Sequence, residues 1–343
     1  MPKPGPRLRL VDVAERAGVS LATASRALSG RDGVSEEVAS RVRRVSQELG
    51  YVANPYARTL AGGASSTVGL VVHQVDDPYF AEIAGGVIEV AGEQGLLVQI
   101  CHSGRDPETE LRQIRHLIAQ RVRILLIAGS GYTDARAEAE AKAEVSAFEA
   151  TGGRVAVIGR HSLGVDAVVP DNHDGGRALA EHLLGLGHRR IAVAAGTADL
   201  TTVADRLAGV AAALRAHGLS LDRLPVMHTE FTRAGGRVAA ERILADHPDT
   251  TAVVALNDAM AMGVLATLRE ADIAVPARMS VVGFDDVSVA ADLAPALTTV
   301  RLPMTEMGRM ALALALRPRS ARARRRPTGH TLVVRGSTGP VPK

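Results

Sequence analysis

Seven short runs rich in Val, Ile, Leu and Ala recur through the chain, at residues 67–72, 96–101, 124–129, 154–159, 191–196, 251–256 and 280–284. Stretches of ten or more residues with helical spacing separate them. Strands alternating with helices in this way build parallel sheets, because each strand must return to the same edge through a crossover. The runs are almost continuously apolar, as strands covered on both faces require. Their number is large for one tidy sheet, so the reading is an α/β, doubly wound core with two similar lobes. Ligands bind beyond the carboxyl ends of strands in such sheets. The residues that follow each run are therefore candidates for a binding cleft.

The first 63 residues break this pattern. Leu10 to Gly30 reads as two short helices around a turn at Gly18, where glycine tolerates the left-handed backbone that ends a helix. Ser20 offers an N-cap hydroxyl to the second helix. This is a helix-turn-helix pattern. On the second helix Leu21, Ala22 and Arg26 point one way, with Thr23, Ser25 and Ser29 around them. Small, hydroxylated and guanidinium groups suit phosphates and base edges better than a core. A third helix opens at Ser35 and runs to about Leu49, with Val38, Val42, Val45 and Leu49 at helical spacing. Asn54 as N-cap and Pro55 at the first helical position start a further short helix. It is too short to be stable alone in water.

Charge divides the chain in the same way. Residues 1–63 carry ten Lys and Arg against six Asp and Glu, residues 317–343 eight against none, and residues 64–316 the remaining 22 against 31. Basic ends around an acidic body fit a polyanion-binding head on a domain with other business. The N-terminus has no apolar segment of a secretory signal, and no apolar run nears the ~20 residues of a membrane span. With a single cysteine, Cys101, the expectation is a cytoplasmic protein. No phosphate-binding loop, Gly-x-Ser-x-Gly or Cys/His/Asp constellation points to catalysis. The eleven histidines show no metal-ligand spacing, so no cofactor or metal is expected.

The run DVAERAGVS at 12–20, then ATASRAL, VSEE and ELGY, resembles the DNA-binding head of the lactose/galactose repressor (LacI) family of bacterial transcription regulators. The resemblance continues through GLGHRRIAV (185–193), DRLAGV (205–210), LNDAMAMGVL (256–265), SVVGFDD (280–286) and LTTVRLPMTEMGRMA (297–311). Val333 to Thr338 resembles the closing strand of the family. What it implies is a three-helix head over residues 1–50, a hinge helix over 51–63, and a periplasmic-binding-protein-like core over 64–343. The core would divide into lobes of roughly 64–163 with 299–325 and 164–298 with 326–343. The basic segment Arg317 to Arg326 falls where the family has a variable loop, and a solvated loop is expected there.

The implied function is that of a sequence-specific repressor, a homodimer on a pseudo-palindromic duplex operator in the nucleoid, controlled by a small carbohydrate-like effector. A transport module without a DNA role and a sugar-modifying enzyme are the rivals. Ser20, Leu21, Ala22, Thr23, Ser25, Arg26, Tyr51, Asn54, Ala57 and Leu60 are the expected DNA contacts. Leu60 matches the leucine that the family wedges into the minor groove. Arg206, Asn257 and Asp285 match effector contacts of the family, and Phe231 matches its aromatic platform. Asp76, Tyr79, Phe80 and Arg160 join them from the residues that follow strands. Asp258 is weighed equally as helix cap and as ligand; Asp286 and His188 are read as structural.

Overall fold

The computed structural model describes residues 8–29, 32–51 and 66–342. The chain separates into two units, one ending at Ser65 and one beginning at Ser66. Apart from Tyr51, the hinge expected over 51–63, with Asn54, Ala57 and Leu60, lies outside the described residues.

The first unit holds α1 (Leu10–Ala17), α2 (Leu21–Ser29) and α3 (Glu36–Leu49). Gly18 ends α1 at φ 67°, its N–H turned back onto the Ala14 and Glu15 carbonyls. The Ser20 hydroxyl accepts the Thr23 N–H at 3.1 Å, and the Ser35 hydroxyl accepts that of Val38 at 3.4 Å. Both caps satisfy donors that a helix start leaves open. Val13, Ala14, Ala17, Ala24, Ala27, Val42 and Val45 bury one small core, with Val38 and Leu49 partly buried against it.

The second unit contains two six-stranded sheets. The first has the order β2 (Leu97–His102), β1 (Thr67–Val72), β3 (Ile124–Ala128), β4 (Arg154–Ile158), β5 (Asp166–Val169) and β11 (Arg325–Pro327). The second has β7 (Val226–His228), β6 (Ile191–Ala195), β8 (Ala252–Ala255), β9 (Ser280–Asp285), β10 (Thr298–Arg301) and β12 (Thr331–Val333). Every pairing is parallel except that of β12 with β10. The helices are α4 (Pro78–Glu93), α5 (Pro107–Ala119), α6 (Ala139–Ala150), α7 (Asn172–Gly185), α8 (Thr201–Ala216), α9 (Arg233–Asp246), α10 (Asp258–Glu270) and α11 (Met304–Leu316).

Three helix pairs are built alike. In α4 with α11, a Cβ added at Gly86 would strike the Thr305 carbonyl, and one at Gly308 that of Ile83. Gly176 and Gly209 make the same reciprocal notch between α7 and α8, and Gly236 and Gly263 between α9 and α10. These helices meet backbone against backbone, and no rotamer change relieves a side chain placed there.

Three expectations need correction. Residues 164–169 belong to the first lobe, because β5 pairs with β4; β10 belongs to the second, beside β9, and the first sheet keeps the chain to Pro327. The chain therefore crosses between lobes after β5, after β10 and after β11. The closing strand lies at Thr331–Val333 rather than at 333–338. The basic segment is not simply a solvated loop. Arg325–Pro327 forms the edge strand β11, Arg324 pairs with Asp166 at 2.6 Å, and Arg319 pairs with Glu149 at 3.3 Å.

Candidate DNA-reading surface and ligand cleft

Helix α2 turns Ala24 and Ala27 into the head core and leaves Leu21, Ala22 and Arg26 exposed. Leu21 is 52% exposed. Arg26 folds back far enough for its Nε–H to reach the Ala22 carbonyl at 3.3 Å. Thr23 and Ser25 are half-buried at the flanks of this face. Ser20 serves as the cap, and its hydroxyl lies 2.8 Å from that of Thr23. Tyr51 packs partly buried against the head core, and its carbonyl accepts the Ser46 hydroxyl at 3.0 Å.

In the second unit, the carboxyl ends of both sheets surround one cavity. Six of the eight expected effector residues line it: Tyr79, Phe80, Arg206, Phe231, Asn257 and Asp285. Asp76 does not, being exposed, while its neighbour Asp77 caps α4 by accepting the Tyr79 N–H at 3.1 Å and faces the cavity. Arg160 does not line it either. Its guanidinium grips Asp205 on α8 through two hydrogen bonds of 2.7 and 3.0 Å, tying the first lobe to the second.

Arg206 is the centre of the second-lobe wall and is 2% exposed. Its Nη2 donates to Asp285 Oδ1 at 2.8 Å and its Nε to Asn172 Oδ1 at 2.9 Å, while Nη1 donates to the Leu256 carbonyl. The guanidinium lies flat on Phe284, 3.6 Å from the ring centre. Three of its five N–H donors are thus held. Asp285 has the left-handed φ of 113°. Burial pushes its carboxyl up to about 7, against the opposing pull of the Arg206 charge. Asn257 caps α10 by accepting the Met260 N–H at 2.8 Å.

The next residue, Asp258, is neither cap nor wall. It accepts the Val287 N–H at 2.9 Å and the Thr299 hydroxyl at 2.6 Å, fastening α10 behind the cleft. Asp286 pairs with Arg301 and Arg335, both at 2.6 Å. His188 is buried and bonded to Thr251, Ser280 and Gly339.

Several wall residues are missing from the expectations, Arg105 foremost among them. It follows β2, pairs with Asp77 at 3.6 Å, and sets its guanidinium 5.5 Å from the Phe231 ring and 6.0 Å from the Phe80 ring. A cation between aromatic rings of opposite lobes joins them by attraction to both π faces. Backbone bonds add to this closure: Thr133 N–H to Asp199 O at 2.7 Å and Thr201 N–H to Gly131 O at 2.9 Å. Free volume in the cavity is about 30 Å³. That holds a water or two, not a sugar ring, so a ligand enters only when Arg105 swings or the lobes part.

Residues 9–54 match the profile of bacterial regulatory proteins of the lacI family, and residues 180–338 that of a periplasmic binding protein-like domain. The chain is 32% identical to the HTH-type transcriptional regulator DegA of Bacillus subtilis (strain 168), over 97% of this chain and 98% of that one. Among solved structures, it resembles a transcriptional regulator CelR–cellobiose complex at 31% identity and TM-score 0.71, covering 96% of this chain and all of that chain. It also resembles the lac repressor dimer bound to operator and the anti-inducer ONPF, at 25% identity and TM-score 0.78, covering 97% and 100%.

Proposed function

Because this chain belongs to the lacI family of bacterial regulatory proteins, we propose that it is a sequence-specific repressor whose operator affinity is set by a carbohydrate held between the core lobes. It is a regulator and not an enzyme, as its relatives are. The observation that carries the reading is the cleft itself. Arg206, Asn257 and Asp285 are buried polar groups on one wall, with the Phe231, Tyr79 and Phe80 rings beside them. Fixed hydrogen-bonding groups next to ring faces are what a polyhydroxylated ligand with apolar C–H faces requires. The cellobiose in the CelR complex fits the same chemistry.

In this reading α2 enters the major groove and Arg26 bonds a guanine edge, with Leu21 and Ala22 against apolar groups nearby. A second copy of the chain completes the pseudo-palindrome. The partner surface is the edge of the first lobe, where Ile88 on α4 and Leu97 and Ile100 on β2 are large apolar side chains left exposed. Among the described residues no helix is long and apolar enough to cross a membrane, and the place of action is the cytoplasm.

The direct test is a gel-shift titration of the full chain on duplexes selected from a random pool, with and without mono- and disaccharides. Binding should prefer a pseudo-palindrome, fall steeply with salt, and change at least tenfold with one sugar class. Equal affinity for every duplex, or turnover of the sugar, would overturn the reading.

Ligand affinity should also depend on pH. The Asp285 carboxyl is raised from 3.8 to about 7, so it gains its proton as pH falls through neutrality and loses the charge that accepts sugar hydroxyls. Calorimetric affinity should therefore weaken from pH 8 to pH 6, by up to about tenfold for each pH unit below 7. In Asp285→Asn that slope should vanish. An unchanged slope would assign the titration to another group.

A further inference from the structure

Beneath the first-lobe wall of the cleft lies a buried group of four metal-ligating side chains. His73 follows β1, Glu110 sits on α5, Glu138 ends a 3-10 turn (Ala135–Glu138), and His161 follows β4. Each side chain is 1–2% exposed. One ligand atom from each of Glu110, Glu138 and His161 lies within 4.8 Å of the others, and His73 Nε2 is 3.5 Å from Glu110 Oε2. The backbone makes room for them. A Cβ at Gly129 would run into the His73 ring, and one at Gly131 into Glu138 Oε1.

Two details distinguish this group from a pair of ordinary buried His–Glu contacts. Glu110 Oε2 and His73 Nε2 face each other at 3.5 Å without a well-formed hydrogen bond to any group, and the nearby Tyr132 hydroxyl also lacks one. A buried carboxylate oxygen without a partner is costly unless a cation faces it. The second detail is how His161 is held. Its Nε2 lies 3.2 Å from the Gly129 carbonyl and its Nδ1 2.6 Å from Glu138 Oε1. An imidazole that gives one N–H to a backbone carbonyl and turns its other nitrogen inward is the usual support of a metal-bound histidine. The Ser162 N–H likewise holds Glu138 Oε2, leaving Oε1 on the inner side.

We propose that Glu110, Glu138 and His161, with His73 beside Glu110, form a site for one divalent transition-metal ion of the zinc class. With metal–ligand distances of about 2.0–2.1 Å, tetrahedral ligand atoms stand about 3.3 Å apart. The three ligand atoms stand within 4.8 Å of one another, so the wider gaps close by up to about 1.5 Å around the ion. The 2.6 Å pair opens by about 0.7 Å as the ion displaces the proton shared between Glu138 and His161. An imidazole beside two carboxylates favours zinc over magnesium, which prefers six oxygens in octahedral array.

The site has a place in the mechanism of closure. Ser130 and Arg160, each one or two residues from groups that shape it, hold the second lobe through the Thr202 N–H at 3.0 Å and Asp205 at 2.7 Å. An ion below them fixes the first-lobe half of that latch, whichever ligand the cleft takes.

The test uses the full-length chain, stripped with EDTA and titrated with Zn²⁺. Dialysis with elemental analysis should give one zinc per chain, and the melting temperature should rise by about 5 °C at a hundredfold excess over the dissociation constant. Glu110→Gln should lower affinity at least 100-fold and remove that rise. Because a buried substitution can impair folding, the wild-type protein also carries a test of its own. X-ray absorption at the zinc edge should show one imidazole among oxygen ligands. No stoichiometric binding, no imidazole around the bound zinc, or equal affinity in folded Glu110→Gln would overturn the proposal. The last would mark adventitious binding at surface histidines. Mg²⁺ binding as tightly as Zn²⁺ would overturn the assignment of metal class.

Discussion

In Asp285→Asn, the sugar that shifts operator affinity of the wild-type protein no longer does so, while operator affinity itself is retained. Arg206 holds the buried Asp285 carboxylate at 2.8 Å, and the Asn amide forfeits the charge-assisted bonds that carboxylate offers to sugar hydroxyls, at about 1.5–3 kcal/mol. Arg206 keeps its bonds to Asn172 and Leu256, so the loss falls on the wall that faces the ligand. At the upper end of that range, a loss of about 3 kcal/mol is over 100-fold in affinity, beyond the working range of the wild-type response. Circular dichroism establishes that the core is folded, calorimetry reads the sugar, and a gel shift reads the operator. A response at wild-type sugar concentrations would place the ligand elsewhere.

Arg26→Ala should cost about 1–3 kcal/mol on the operator and relax the preference at one base pair. The expectation rests on position: Arg26 is exposed on α2, one helical turn beyond Ala22, whose carbonyl its Nε–H reaches. The substitution removes a guanidinium from the surface and leaves the Ala24 and Ala27 packing intact. Affinity is to be measured on the operator and on single-base variants at one fixed salt concentration. Uniform weakening on every duplex would show that Arg26 touches phosphate alone.

The long central strands were legible because a strand buried on both faces spells itself as an apolar run; Val68–Val72 and Ile124–Ala128 are examples. The short ones were not. β5, β7 and β10 have three or four residues each, and Thr298 and Thr299 in β10 are buried polar residues whose hydroxyls donate to the Arg335 carbonyl and to Asp258. Reading the cleft from strand ends found Tyr79, Phe80, Asn257 and Asp285, but Asp76 after β1 and Arg160 after β4 fall outside the cavity. Arg105 escapes that reading because it follows an edge strand with the broken burial of Leu97 to His102.

Asp76 and Asp77 are indistinguishable by type, and only the cap of α4 decides which faces inward. Arg160 was placed correctly at a strand end, but its partner Asp205 is 45 residues away. The His73, Glu110, Glu138 and His161 group has no local spacing to find. Its members come from four separate segments that only the sheet order brings together.

The reciprocal glycine notches have a mechanical consequence. Helices locked backbone to backbone cannot yield by sliding side chains, so each lobe turns as a solid piece. The three crossings all lie at the cleft end of the sheets: after Val169, after Arg301, and between Pro327 and Thr331, which pair with those same two residues. The chain enters the first lobe at the opposite end, at Thr67, six residues down β1. At about 3.3 Å per residue that is an arm of about 20 Å. A turn of about 10° about the crossings then carries Thr67 about 3 Å sideways, so a small adjustment around a sugar becomes a displacement as long as a hydrogen bond at the far end of the lever.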